Sequence, residues 1–235
     1  MKRILISVLS ISIIIVFLSC QKPAEEKKTE VVKKYIPSVC IEENAWVLTA
    51  PTYDKKKSSR HTVLSLGEKV IWFGITAIDS ADNNKEFIQI MLSDSSQGWT
   101  RSWNVVTNAK PAVIIDTVNT YDRPKEINLT DDKLDPLKII AVLTEKEDWL
   151  EVVDKANKNP IWIKNKNISF NDIDIAVATQ YTKIKSKGEK RKEAILDIVD
   201  NEVFQNSILI SKLRRIVFEM VKEQEAQVDT TSTGI

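Results

Sequence analysis

EFIQIMLSDSSQGWTRSWNVV (Glu86–Val106) and DWLEVVDKANKNPIWIKNKNI (Asp148–Ile168) are two statements of one phrase. Each opens on an acid and an aromatic ring, Glu86-Phe87 and Asp148-Trp149. Each alternates, crosses a polar turn and emerges on a tryptophan, Trp99 or Trp162. Successive strand side chains point to opposite faces, so Phe87, Gln89 and Met91 share one side and Ile88, Ile90 and Leu92 the other. Ser93–Gln97 has the polar composition of a turn. The phrase is a β-hairpin, present twice.

Upstream of the first hairpin, Trp46-Val47-Leu48 is a short apolar run ending in Ala50-Pro51. Tyr53–Arg60 is a polar loop carrying a lysine run, Gly67-Glu68 is a turn, and Val70–Ile75 is β-branched and aromatic, the composition of a strand. Short strands separated by regular turns predict a barrel or a sandwich. Modules as short as 40–107 and 111–169 favour small barrels. In the second module Ala112–Ile115 takes the place of the first strand, Thr120-Tyr121-Asp122 that of Thr52-Tyr53-Asp54, and Leu137–Leu143 that of the Val70 strand.

The order of pieces in the first module resembles the bacterial SH3 (SH3b) family. A first strand ends in a small residue and proline (Ala50-Pro51). An apolar residue precedes a glycine turn and a valine strand (Leu66-Gly67-Glu68-Lys69-Val70). An aromatic strand follows (Phe87-Ile88-Gln89-Ile90), and the module closes on Gly98-Trp99 and Val105-Val106. The second module lacks both glycines: Pro160-Ile161-Trp162 replaces Gly-Trp, and Asp135-Pro136 stands before the strand, which predicts different turns. The resemblance implies a mainly β chain with two SH3-like β-barrels in tandem and a helical tail. It also implies a groove, lined in the first module by Tyr53, Trp72, Trp99 and Trp103 beside Arg101, with Tyr121 and Trp162 as the second-module equivalents. Trp99, Trp149 and Trp162 suit core positions equally, since aromatic rings dominate small cores. Trp103, in a polar run, is the surface candidate.

After Phe170 the apolar period lengthens. Ile173, Val177, Tyr181 and Ile184 lie on one helical face, with Asp172 placed to cap it. Further apolar stripes run to Gln227, so residues 171–227 form a helical tail and 228–235 a disordered end. The stripe must be covered, by the β modules or other helices, by an oligomer, or by a membrane surface.

At the N-terminus, Lys2-Arg3 precede an apolar stretch, Ile4–Leu18, broken only by serines. That is the order of a secretory signal, and it is short for a spanning helix of about 20 residues. Phe17-Leu18-Ser19-Cys20 resembles the looser lipobox of spirochaete-type bacterial lipoproteins, which implies a signal peptide over 1–19 and acylation (palmitate among the acyl chains) of Cys20. Residues 20–39 are then a charged tether. The implied location is the cell envelope, lipid-anchored to a bacterial membrane.

Charge and chemistry narrow the function. Lys plus Arg (34) nearly cancels Asp plus Glu (33), which argues against nucleic acid as a partner. One histidine, His61, excludes a multi-histidine metal site, and two cysteines make no disulfide framework. Five glycines leave little room for a phosphate-cradling loop. No Ser/His/acid set or carboxylate pair has supporting context. A Cys40–His61 pair lacks an orienting acid, and Cys40 suits a small buried hydrophobe. The expectation is a binding protein with no catalytic residues, metal or cofactor, not an enzyme. Its ligand is peptidoglycan or an envelope protein; the alternative is a surface adhesin for host matrix or serum proteins.

Overall fold

The computed structural model describes residues 34–156, 159–184 and 190–232, with side chains through 223. Cys20, the signal segment and the tether as far as residue 33 lie outside the described residues.

The first module contains β1 (Ile36–Cys40), β2 (Ala45–Leu48), β3 (Arg60–Leu64), β4 (Lys69–Asp79), β5 (Lys85–Met91), β6 (Gln97–Arg101) and β7 (Val105–Thr107). They form one antiparallel sheet in the order β3-β2-β6-β5-β4-β1-β7. The second module contains β8 (Lys110–Ile114), β9 (Val118–Tyr121), β10 (Leu129–Leu134), β11 (Ile139–Lys146), β12 (Trp149–Val153), β13 (Ile161–Lys164) and β14 (Ile168–Ser169). Its order, β10-β9-β13-β12-β11-β8-β14, is the first order with each label raised by seven. The two hairpins from which the sequence was read are β5–β6 and β12–β13.

Neither module is a closed barrel, which corrects the expectation of tandem SH3-like barrels. Closure needs the last strand to bond the first. Here the end strands pair only inward, β3 with β2 and β7 with β1 in the first sheet. The sequence also assigned Ile36–Val39 to the tether, whereas these residues begin β1, an interior strand between β4 and β7. Val39, Cys40 and Ile41 are buried, which anchors it. Pro37 has no N–H to give a ladder, but its carbonyl accepts from Ala109 N at 3.2 Å.

The register also redefines the repeat. Leu48 faces Trp99 as Tyr121 faces Trp162, so Tyr121 is the counterpart of Leu48 and not of Tyr53. Phe87 faces Arg101 as Trp149 faces Lys164. The turn before the long strand is alike in both copies: Gly67 N donates to Cys40 O and Leu137 N to Ile114 O, each at 2.8 Å. Gly67 has φ +80° and Leu137 φ +65°. A left-handed leucine costs about 1–2 kcal/mol; Leu137 is buried among the helices, and such burial contributes about 1.5–3 kcal/mol. Burial therefore offsets the strain, and the turn survives loss of its glycine, contrary to the expectation of a different turn.

Helices α1 (Asp172–Ile184), α2 (Arg191–Val199) and α3 (Ile210–Ser232) follow. α3 continues to Ser232, through most of the stretch expected to be disordered. The cap of α1 is Asn171, whose Oδ1 accepts from Ile173 N at 3.0 Å, and Asp172 sits in the first turn instead. The helices share a core with Leu66, Val113, Leu137 and Ile139, built around Ile195, Leu209 and Leu213. Buried Asp174 locks them: it accepts from Ser169 Oγ (2.5 Å), Ser207 Oγ (2.6 Å) and Ile208 N (3.1 Å). A separate apolar cluster, Val39, Ile41, Ala109, Ala141 and Val153, joins the two sheets.

Candidate functional site

The clearest concentration of exposed aromatic surface is at one end of the first sheet. β2 alternates Ala45 in, Trp46 out, Val47 in, which leaves Trp46 44% exposed. Tyr53, on the loop after β2, is 37% exposed, and Trp103, on a 3₁₀ turn after β6, is 49% exposed. With Glu42, Glu43, Asn44 and Asn104 these three rings line a groove of about 410 Å³.

Arg101 supports Tyr53 and Trp103 from beneath. It ends β6 and is only 4% exposed. Its guanidinium carbon lies 4.6 Å from the Tyr53 ring centre, 4.8 Å from Trp103 and 5.0 Å from Phe87. Nη2 pairs with Asp82 Oδ2 at 2.6 Å, while Nε and Nη1 have no hydrogen-bond partner among the described residues. A planar cation can stack on several rings at once, as an ammonium cannot. Tyr53 further contacts Phe87 (5.7 Å between centres) and Trp46 (5.9 Å), and Arg60 lies 5.5 Å over Trp46.

Polar bonds fix the supporting loops. Ser58 Oγ accepts from Ala50 N at 3.1 Å and donates to Ala50 O at 3.0 Å, which pins the Tyr53 loop. Asn104 Nδ2 donates to Thr100 Oγ1 at 2.9 Å and holds the Trp103 turn. The Thr52 hydroxyl holds the Asp79 carboxyl below the usual carboxylate range; burial works against this, and the backbone amides of Ala81, Tyr53 and Asp82 add to it. At the acidic end, Lys155 from the second module lies 3.5 Å from Glu42 and 3.3 Å from Glu43. Burial disfavours the Lys155 charge, but Glu43 and Glu42 more than compensate and push its pKa up.

The sequence candidates divide. Tyr53 and Trp103 line the groove, and Arg101 lies under it. Trp72 is half-buried against the first-sheet core, with Nε1 donating to Ile75 O at 3.1 Å. Trp99 and Trp162 are half-buried, each next to an inward residue (Gly98 and Ile163), and so lie on the outer faces of their sheets. Neither lines this groove. Tyr121 is buried edge-on to Trp149 at 4.8 Å, and Lys164 covers Trp149 at 3.9 Å. The second module thus repeats the cation-on-aromatic pair but closes it with Tyr121. Trp46, Glu42 and Glu43 were missed by sequence reasoning; the outward position of Trp46 in an alternating strand was the available signal.

Cys40 does not meet His61. It is fully buried on β1, donates to Glu42 O at 3.2 Å, and burial pushes its thiol up to about 12. His61 is exposed on β3, with four strands between the two in the sheet order. Among the described residues no group of three or more His, Cys, Asp or Glu is placed to hold a metal ion.

No family model matches the chain, and no curated protein does. Solved structures to which it is similar include NlpC1 from Trichomonas vaginalis, 9% identical over 59% of this chain and 47% of that one, with a TM-score of 0.25. NlpC2 from Trichomonas vaginalis is 10% identical over 72% and 56%, at 0.25. An NlpC/P60 family protein from Bacillus cereus is 12% identical over 57% and 55%, at 0.26. The chain spans about half the length of these structures. The expectation that the chain is not an enzyme is withdrawn on this finding. At TM-scores of 0.25–0.26 the likeness assigns no activity to this chain either.

Proposed function

We propose that the chain is a membrane-anchored envelope lipoprotein that binds peptidoglycan through the Trp46–Tyr53–Trp103 groove. The observation that carries the reading is the convergence of three exposed rings on one groove, two of them, Tyr53 and Trp103, stacked on the buried Arg101. Exposed tryptophan and tyrosine offer broad, rigid contact area at little entropic cost. Rings around one groove suit the apolar CH faces of glycan rings, and Glu42 and Glu43 suit amino groups on attached peptide. Anchoring rests on the Phe17-Leu18-Ser19-Cys20 resemblance. Among the described residues no helix is long and apolar enough to cross a membrane.

Sedimentation with purified peptidoglycan tests the binding. The protein should co-sediment, and Trp103→Ala or Trp46→Ala should each weaken binding by roughly ten-fold, the usual size of an aromatic contact loss. Failure of the intact protein to sediment would overturn the ligand. Unchanged binding by both variants would overturn the site. Blocking lipoprotein processing in cells should leave a heavier precursor if Cys20 is acylated; an unchanged mass would overturn the anchor.

A further inference from the structure

A second groove, sharing no lining residue with the aromatic one, lies where β1, β4 and β5 meet the start of β8 and the chain after β14. Its volume is about 400 Å³. Val70, Ile71, Met91, Leu92, Pro111 and Phe170 give it an apolar surface, and Ser38 and Ser93 add little polarity. Its charged lining residues are both cations, Lys69 and Lys110. Lys69 pairs with Asp172 at 2.5 Å and Lys110 with Glu145 at 3.4 Å, but neither acid lines the groove. Both pairs are well exposed, and such pairs hold their partners weakly. The lysines can therefore exchange a surface acid for an anion at the groove mouth at little cost.

We propose that this groove binds a single-chain anionic amphiphile of the fatty-acid type. The chain would lie on the Val70–Ile71–Leu92 floor with its headgroup between Lys69 and Lys110. The volume stands near the lower end of ligand pockets, about 300–1,000 Å³, and fits one chain better than two. A pocket that is mostly apolar with a few convergent polar groups is the usual form of a small-molecule site. The same charge complementarity sets the order of preference: an anionic head above a neutral one, and a cationic head excluded.

Calorimetric titration of the full chain with decanoate and with the uncharged 1-decanol, both below their aggregation limits, tests this. Decanoate should bind one per chain. Lys69→Glu with Lys110→Glu changes two exposed side chains, and should weaken decanoate by roughly ten-fold while leaving 1-decanol within about two-fold. Met91→Trp fills the groove and should weaken both. The proposal is overturned by absence of decanoate binding, by a double variant that binds decanoate as tightly as the parent, or by binding only to mixed phosphatidylglycerol vesicles and not to monomeric decanoate. If Met91→Trp does not fold, the charge-reversed protein still decides, because its circular dichroism is checked independently.

Discussion

The Arg101 guanidinium stands 4.6 Å from the centre of the Tyr53 ring and 4.8 Å from that of Trp103, so one buried cation positions two groove walls that come from opposite ends of the module. Replacing Arg101 by alanine removes the stack and leaves Asp82 paired with Lys85, at 3.0 Å, among the described residues. The expected loss of stability is about 2 kcal/mol, measured by urea unfolding. Arg101→Lys should recover only part of it, because an ammonium cannot lie flat against three rings. A lysine variant as stable as the parent would show that charge alone, and not stacking, holds the site.

Gly98 is required by proximity. A Cβ there would stand 2.4 Å from Val47 Cγ1 and 3.0 Å from Leu48 O. Gly98→Ala should cost about 1–3 kcal/mol, as overpacking of a core does. Val47→Ala should restore part of that in the double variant, since it removes the nearer atom. Additive losses in a double-mutant cycle would contradict this contact.

Acid should loosen the Tyr53 loop. Asp79 has a lowered pKa in the folded protein, set first by the Thr52 hydroxyl. A carboxyl that is more acidic when folded stabilises the fold fully above the ordinary carboxylate range, near 3.9. That contribution is lost as the pH falls through the lowered value. Asp94, Asp116 and Glu126 are shifted in the same direction. Urea midpoints should be level from about pH 7 to 5 and drop below about pH 4. Asp79→Asn should shallow that drop. An equally steep fall in the asparagine protein would remove Asp79 from the account.

Cys40 should be chemically silent in the folded protein. Its thiol is buried and pushed up to about 12, and only the thiolate reacts appreciably. Iodoacetamide at about pH 8 should leave Cys40 unmodified until denaturant is added, as peptide mass mapping would reveal. Fast native labelling would mean that β1 opens readily.

The two hairpins were legible because alternation and turn chemistry are local. The repeat was legible too, but its register was not. Matching Ala112–Ile115 with the Trp46 run set β8 against β2 when its counterpart is β1, and matching Tyr53 with Tyr121 by their Thr-Tyr-Asp setting put a loop residue against the end of a strand; pairing across the sheet aligns Tyr121 with Leu48. β1 was hidden because IPSVC follows a lysine-rich run and contains proline; its burial comes from distant partners, Trp72 and Val106 among them. At the site, Trp103 could be singled out by its polar neighbours. The burial of Arg101 could not, since it depends on Tyr53 and Asp82 folding over it from other segments.

β1 also has a mechanical consequence. It is hydrogen-bonded on both sides, with partners from Ile36–Val39 on β4 and from Ser38–Cys40 on β7. A pull on the chain before Lys34 enters the fold at this strand. Because β1 is no edge, it cannot peel away one bond at a time; tension along it loads both ladders together in shear. A protein held by its N-terminal side and tugged by a bound wall polymer would transmit that tension into the sheet interior, where the load is shared, before any outer strand came loose.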